Sequence, residues 1–124
     1  MTTLRDVMST SVTTMEASAT IAEAAAKMVQ GRFGSVLVTQ RTMLLGIFTE
    51  RDVMRAAAEA SDLQADTLSK WMTPDPITRP PETAAEEAAE LMLSNGFRHL
   101  PVVDDSGLVG IVSLRDLLSA RIGR

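Results

Sequence analysis

Set against itself at an offset of 64 residues, the sequence repeats. Thr3, Leu4, Met8, Glu23, Met28, Phe33, Gly46, Ile47, Arg51 and Asp52 recur as Thr67, Leu68, Met72, Glu87, Met92, Phe97, Gly110, Ile111, Arg115 and Asp116. The 124 residues therefore hold two copies of one unit, read as 1–60 and 67–124 with 61–66 as a linker. A unit of about sixty residues buries too little surface to be stable alone, and adjacent repeats cover each other's apolar faces. The two copies are thus expected to form one fused body.

Hydrophobic residues supply 45% of the chain but aromatics only 3%, so the core must be aliphatic with help from eight Met. Methionine adapts its shape and suits interfaces as well as interiors. Cysteine is absent, which excludes disulfides, thiol catalysis, thiolate zinc sites and iron–sulfur clusters. The net charge is −4 with acids and bases interspersed, which argues against nucleic acid as the main partner. Residues 1–20 lack a basic start followed by an apolar run, and no 18 consecutive residues are apolar. A cytoplasmic protein without membrane attachment is expected.

Thr20-Ile21-Ala22-Glu23 reads as a capping box opening an Ala-rich helix that Gly31 closes. In the second copy, Thr83-Ala84-Ala85-Glu86 is expected to open the equivalent helix and Asn95-Gly96 to close it. Two short β-rich runs follow in each copy, Ser35 to Val38 with Leu44 to Phe48, and Leu100 to Val103 with Leu108 to Val112. Final helices are expected near 50–59 and 114–121, and short leading strands at Val12-Thr13 and Ile77-Thr78. Each copy thus reads as strand, helix, strand, strand, helix, an α+β arrangement.

The best-matched stretch, Gly46 to Asp52 against Gly110 to Asp116, places a hydroxyl three residues before a carboxylate where a strand becomes a helix. Thr49 with Asp52, and Ser113 with Asp116, suit two roles. A hydroxyl and an acid at this spacing cap the helix. The same helix start also presents free N–H groups to a phosphate while the carboxylate accepts hydrogen bonds from a sugar diol.

These motifs, in the order Val7-Met8-Ser9, helix, Phe33 to Val38, Gly46 to Asp52, then Trp71-Met72-Thr73-Pro74, helix, Phe97 to Asp104, Gly110 to Asp116, resemble a tandem pair of CBS domains, a Bateman module. The resemblance covers nearly the whole chain and rests on order and duplication. It implies two pseudo-symmetric βαββα units packed through their sheets, with clefts that bind adenosine nucleotides or related adenosyl ligands such as AMP, ADP, ATP or S-adenosylmethionine. It implies regulation and no catalysis. In the family the Asp holds ribose and the Ser/Thr helps hold phosphate, which maps onto Asp52 with Thr49 and Asp116 with Ser113. The partner copy's early strand contacts the adenine: Ile77 and Thr78 for the ligand of Asp52, Val12 and Thr13 for that of Asp116.

Basic residues that precede the second strand in such proteins appear here as Arg98-His99 in copy two, against Gly34-Ser35 in copy one. With the family's crossed arrangement, Arg98 and His99 would serve the nucleotide of Asp52, and that position should favour polyphosphate. His99 is the only histidine, so a transition-metal site is not expected. Trp71 is read as an anchor for the segment entering copy two. A nucleotide-independent docking or dimerisation module is the alternative function. Homodimers are expected, with Val53, Met54, Ala57, Leu117 and Leu118 as candidate contacts.

Overall fold

Thr20 and Glu23 cap each other as their spacing requires. The Glu23 amide donates to Thr20 Oγ1 at 3.2 Å and the Thr20 amide to Glu23 Oε1 at 3.0 Å, at the head of α2 (Ile21–Gly31). In the computed structural model, which describes the backbone of residues 1–122 and the side chains of 1–120, this helix belongs to one of two compact units, residues 13–76. The other unit comprises residues 1–12 and 77–124, of which 123 and 124 lie outside the described residues. Each copy of the repeat therefore contributes its opening helix to the other copy's unit: α1 (Leu4–Val7) lies with 77–122, and α4 (Leu68–Trp71) with 13–67.

In the unit 13–76, β1 (Thr14–Met15) pairs in parallel with β2 (Ser35–Gln40), which pairs antiparallel with β3 (Met43–Thr49). The far edge is β4 (Thr73–Pro74), antiparallel to β3. A proline is tolerated there because an edge strand needs its N–H on one side only. The core joins Ile21, Ala24 and Met28 of α2 to Val36, Val38 and Phe48 of the sheet, Ala56 of α3 (Glu50–Ala58) and Leu68 of α4. Leu63, in an otherwise polar stretch, packs on this core. Trp71 does too, donating from Nε1 to Ser61 Oγ at 3.1 Å.

The other unit repeats the plan. The hairpin of β5 (His99–Asp104) and β6 (Gly107–Ser113) is flanked by a parallel bridge from Arg79 to Val102 and an antiparallel one from Ser9 to Ile111. Leu4, Ala88, Met92, Leu100, Val102, Val112 and Leu117 form its core, drawn from α1, α5 (Ala85–Asn95), the hairpin and α6 (Leu114–Ile122). Among the described residues no helix is long and apolar enough to cross a membrane.

Three local expectations shift. The leading strand of copy one lies at Thr14–Met15 and not at Val12-Thr13, because pairing with Leu37 and Val38 selects it; in copy two the bridge likewise falls at Arg79, beyond Ile77-Thr78. Gly31 is the last helical residue of α2, and the left-handed cap is Arg32 (φ 58°). A Cβ on Gly31 would run into the Phe33 ring, which accounts for the glycine. Thr83 does not cap α5. Its N-cap is Ala84, the counterpart of Thr20, and no side chain caps there. Glu87 already stands at the third helical position and Ala84 is extended (φ −63°, ψ 136°), so Ala84→Ser should complete a capping box. It is expected to stabilise the protein by about 0.5–1 kcal/mol, read as a rise in melting temperature.

The carboxyls of Glu23, Asp66 and Asp104 are held below the ordinary range, Glu23 by hydrogen bonds from Thr20, Asp66 chiefly by the Ser61 hydroxyl, and Asp104 by Ser106. A carboxyl whose pKa is depressed on folding stabilises the fold above its unfolded pKa, and that contribution is lost as pH falls through the folded value. The melting temperature should therefore drop below about pH 4, and Ser61→Ala should make the drop shallower.

Candidate functional site

At the end of β3, Thr49 is extended (φ −119°, ψ 167°), which turns its side chain back over the first turn of α3. Its hydroxyl accepts from the Asp52 amide at 3.4 Å and donates to Asp52 Oδ2 at 3.2 Å, while its own amide donates to that oxygen at 2.9 Å. Asp52 Oδ1 accepts from Arg55 Nη1 at 2.8 Å. Both carboxylate oxygens are thus engaged, and Asp52 is 4% exposed. The Arg55 guanidinium also lies 5.6 Å from the centre of the Trp71 ring, within reach of a cation–π attraction. Gly34 and Ser35 stand beside this cap: Ser35 is opposite Thr49 in the β2–β3 ladder, and the Glu50 amide donates to the Gly34 carbonyl at 3.0 Å. Thr13 precedes β1, its carbonyl accepting from the Leu37 amide at 3.0 Å.

The second copy has the same frame with a different occupancy. The Asp116 amide donates to Ser113 Oγ at 3.0 Å, so the hydroxyl caps α6. The carboxylate makes no return bond: Asp116 is exposed and accepts no hydrogen bond among the described residues. His99 pairs with Ser113 across the ladder, and the Leu114 amide donates to the Arg98 carbonyl at 2.9 Å. Arg98 is exposed and His99 half-buried. A cation and an open carboxylate therefore flank the start of one helix. Ile77, 40% exposed, and Thr78, whose carbonyl accepts from Arg79 Nη1 at 2.8 Å, lie on the segment leading to the Arg79–Val102 bridge of this unit. Val12 also belongs to this unit.

Gly34 and Ser35 thus lie beside the Thr49–Asp52 cap and Arg98 and His99 beside the Ser113–Asp116 cap, while Thr13 belongs to the unit of the former and Val12, Ile77 and Thr78 to the unit of the latter. Sequence reasoning missed Arg55, although its place three residues after Asp52 is a standard ion-pair spacing on a helix. Its counterpart in copy two is Ser119, so the second aspartate has no cation in that position. Of the apolar residues expected on an outer surface, Leu117 is buried in its core and Val53 packs on the other. Met54 (65% exposed), Ala57 and Leu118 (40%) stay outside.

The family model for the CBS domain matches residues 4–59 and again 66–123. The CBS domain-containing protein YhcV of Bacillus subtilis is 37% identical over 118 residues, 94% of this chain and 84% of that one. Among solved structures, the CBS domain pair of protein MJ0100, in complex with 5′-methylthioadenosine and S-adenosyl-L-methionine, is similar with a TM-score of 0.90 and 27% identity, over 98% of this chain and 97% of the other. The hexameric CBS-CP12 protein from bloom-forming cyanobacteria is also similar, with a TM-score of 0.89 and 27% identity over 99% of this chain and 75% of that one. The duplicated unit, its sheet-and-helix plan and the two hydroxyl–acid caps together identify the chain as a member of the CBS domain family, carrying two CBS domains in tandem.

Proposed function

We propose that this CBS pair is a cytoplasmic regulatory module that binds an adenosine nucleotide of the AMP, ADP or ATP class and signals occupancy by a change in conformation or association. The observation that carries this reading is the exposed Asp116 carboxylate behind the Ser113 cap, with Arg98 just ahead of the neighbouring strand β5, its carbonyl bonded to the Leu114 amide. An open carboxylate suits a ribose diol, and helix-start amides with a nearby guanidinium suit phosphate. The adenosyl ligands in the MJ0100 structure support the ligand class. Asp52 and Thr49, with Gly34 and Ser35, form the second nucleotide-binding group, and Ile77, Thr78, Val12 and Thr13 supply contacts to the base. Arg98 and His99 favour polyphosphate. The reading assigns no catalytic residue and no metal.

Calorimetric titration with AMP, ADP, ATP, S-adenosylmethionine and 5′-methylthioadenosine tests it. At least one should bind, and should raise the melting temperature by mass action. Arg98→Ala should weaken ATP about tenfold, the equivalent of about 1.4 kcal/mol, and AMP less. Equal losses for the two nucleotides would remove the phosphate role of Arg98.

A nucleotide-independent association module is the second reading, favoured by the engaged oxygens of Asp52 and by apolar residues exposed at repeat-equivalent helix positions, Val29 with Leu93 and Met54 with Leu118. No thermal response to any of the five ligands would select it. Both readings include a homodimer. Met54→Glu with Leu118→Glu should then convert it to a monomer, measured by light scattering.

A further inference from the structure

The two hydroxyl–acid caps share one backbone frame and differ in charge. The Glu50 amide donates to the Gly34 carbonyl at 3.0 Å, as the Leu114 amide does to that of Arg98 at 2.9 Å, and Ser35 faces Thr49 as His99 faces Ser113. Positions on this frame therefore correspond at the 64-residue offset. Arg98 stands for Gly34, Leu114 for Glu50 and Ser119 for Arg55, while Arg51 and Arg115 are common to both.

In the unit 13–76 the place corresponding to the Arg98 side chain belongs to an anion. A Cβ on Gly34 would stand 3.4 Å from Glu50 Oε1 and 3.6 Å from Oε2, so the Glu50 carboxylate leans over the glycine. The first turn of α3 carries two acids, Glu50 and Asp52, against Asp116 alone in α6. Those two already complement the positive end of the helix, and a phosphate arriving there meets like charge. A ribose meets a second obstacle, because Asp52 is 4% exposed and Arg55 holds its Oδ1 at 2.8 Å. To free that oxygen, Arg55 must leave a nearly buried carboxylate, which is costly. At the start of α6 both obstacles are missing: Leu114 is uncharged, Arg98 replaces the glycine, and Asp116 is exposed with Ser119 in place of the arginine.

We propose that Glu50 and Arg55 are specificity-determining residues that bar phosphorylated ligands from the Thr49–Asp52 cap, so that the chain takes the phosphates of a nucleotide at the Ser113–Asp116 cap alone. This rests on the nucleotide reading above and narrows it: the second group is open only to an adenosyl ligand without phosphate.

Amide NMR of the full chain, titrated with ATP and separately with inorganic tripolyphosphate, tests the proposal. Both should shift the amides of 114–116 with an apparent affinity about tenfold or more above that at 50–52. Gly34→Arg with Glu50→Gln and Arg55→Ser gives the first cap the charges of the second; Gly34 has no positive φ, so an arginine fits its backbone. That chain should bind ATP at 50–52 about tenfold more tightly than the wild type does there. Glu50→Gln alone, at an exposed position, should give about threefold of this gain, and it decides the matter if the triple exchange does not fold. Equal titration of the two helix starts in the wild type, or no gain at 50–52 on Glu50→Gln, would overturn the proposal and leave the nucleotide reading standing. Tripolyphosphate confined to 114–116, with ATP binding no more tightly, would keep the charge selection and remove the adenosine. Shifts at neither start would overturn both.

Discussion

Gly46→Ala and Gly110→Ala are each expected to lower the melting temperature by about 5–10 °C. Neither glycine has a positive φ, so conformational freedom is not why they are there. A Cβ on Gly46 would stand 2.6 Å from Met72 Sδ and 2.8 Å from the Thr73 carbonyl oxygen; on Gly110 it would stand 2.7 Å from Met8 Sδ and 2.9 Å from the Ser9 carbonyl oxygen. The methionine tips can swing aside. The carbonyls cannot, because Ser9 exchanges hydrogen bonds of 2.8 and 3.0 Å with Ile111, and Thr73 pairs with Ile47. An added methyl must therefore push the crossing segment off the sheet. Overpacking of this kind costs about 1–3 kcal/mol, and the lost edge pairing adds to it. Gly96→Ala is the control: its φ is +75° but nothing lies within 4 Å of a Cβ, so the penalty is conformational alone, about 1 kcal/mol. Thermal scans should rank the two strand glycines as the more damaging. A Gly46→Ala chain melting with the wild type would show that β4 yields without cost.

The repeat made most of this architecture legible. Gly46-Ile47 and Gly110-Ile111 align because the same crossing occurs in both units, and Thr20 with Glu23 follows from side-chain chemistry local to four residues. What escaped the sequence depends on partners far along the chain. The two-residue strand Thr14–Met15 is chosen by Leu37 and Val38, since a strand that short has no pattern of its own and β-propensity yields to pairing. Thr83 attracted the cap by residue type, yet the 64-residue offset already pointed to Ala84. Leu63 was hidden in a polar stretch, and only the fold shows it on a core. At the site, a hydroxyl followed by an acid reads alike for a cap and for a ligand contact. The discriminating residue was Arg55 against Ser119, a difference between copies visible in the sequence once Asp52 is known to need a cation.

That difference gives the two aspartates opposite mutational signatures. Asp52→Ala should destabilise the fold by about 2 kcal/mol: about 1 kcal/mol for the lost cap and up to about 1 for the ion pair with Arg55, whose side chain is 54% exposed and is solvated when the carboxylate is gone. The melting temperature should fall by roughly 6–10 °C. Nothing comparable follows at Asp116. Its carboxylate is exposed and takes no part in the α6 cap, which Ser113 completes through the Asp116 amide, so Asp116→Ala should shift melting by less than about 2 °C. The Asp116→Ala chain, though as stable as the wild type, should lose nucleotide affinity, because an open acceptor for ribose is gone. Asp52→Asn tests the physical account: it keeps the side-chain shape and one carbonyl acceptor for the Thr49 amide but gives up the ion pair, so its melting point should lie between wild type and Asp52→Ala. Equal melting of the Asp52→Ala and Asp116→Ala chains would mean that the buried cap and its guanidinium contribute nothing beyond what an exposed hydroxyl supplies alone.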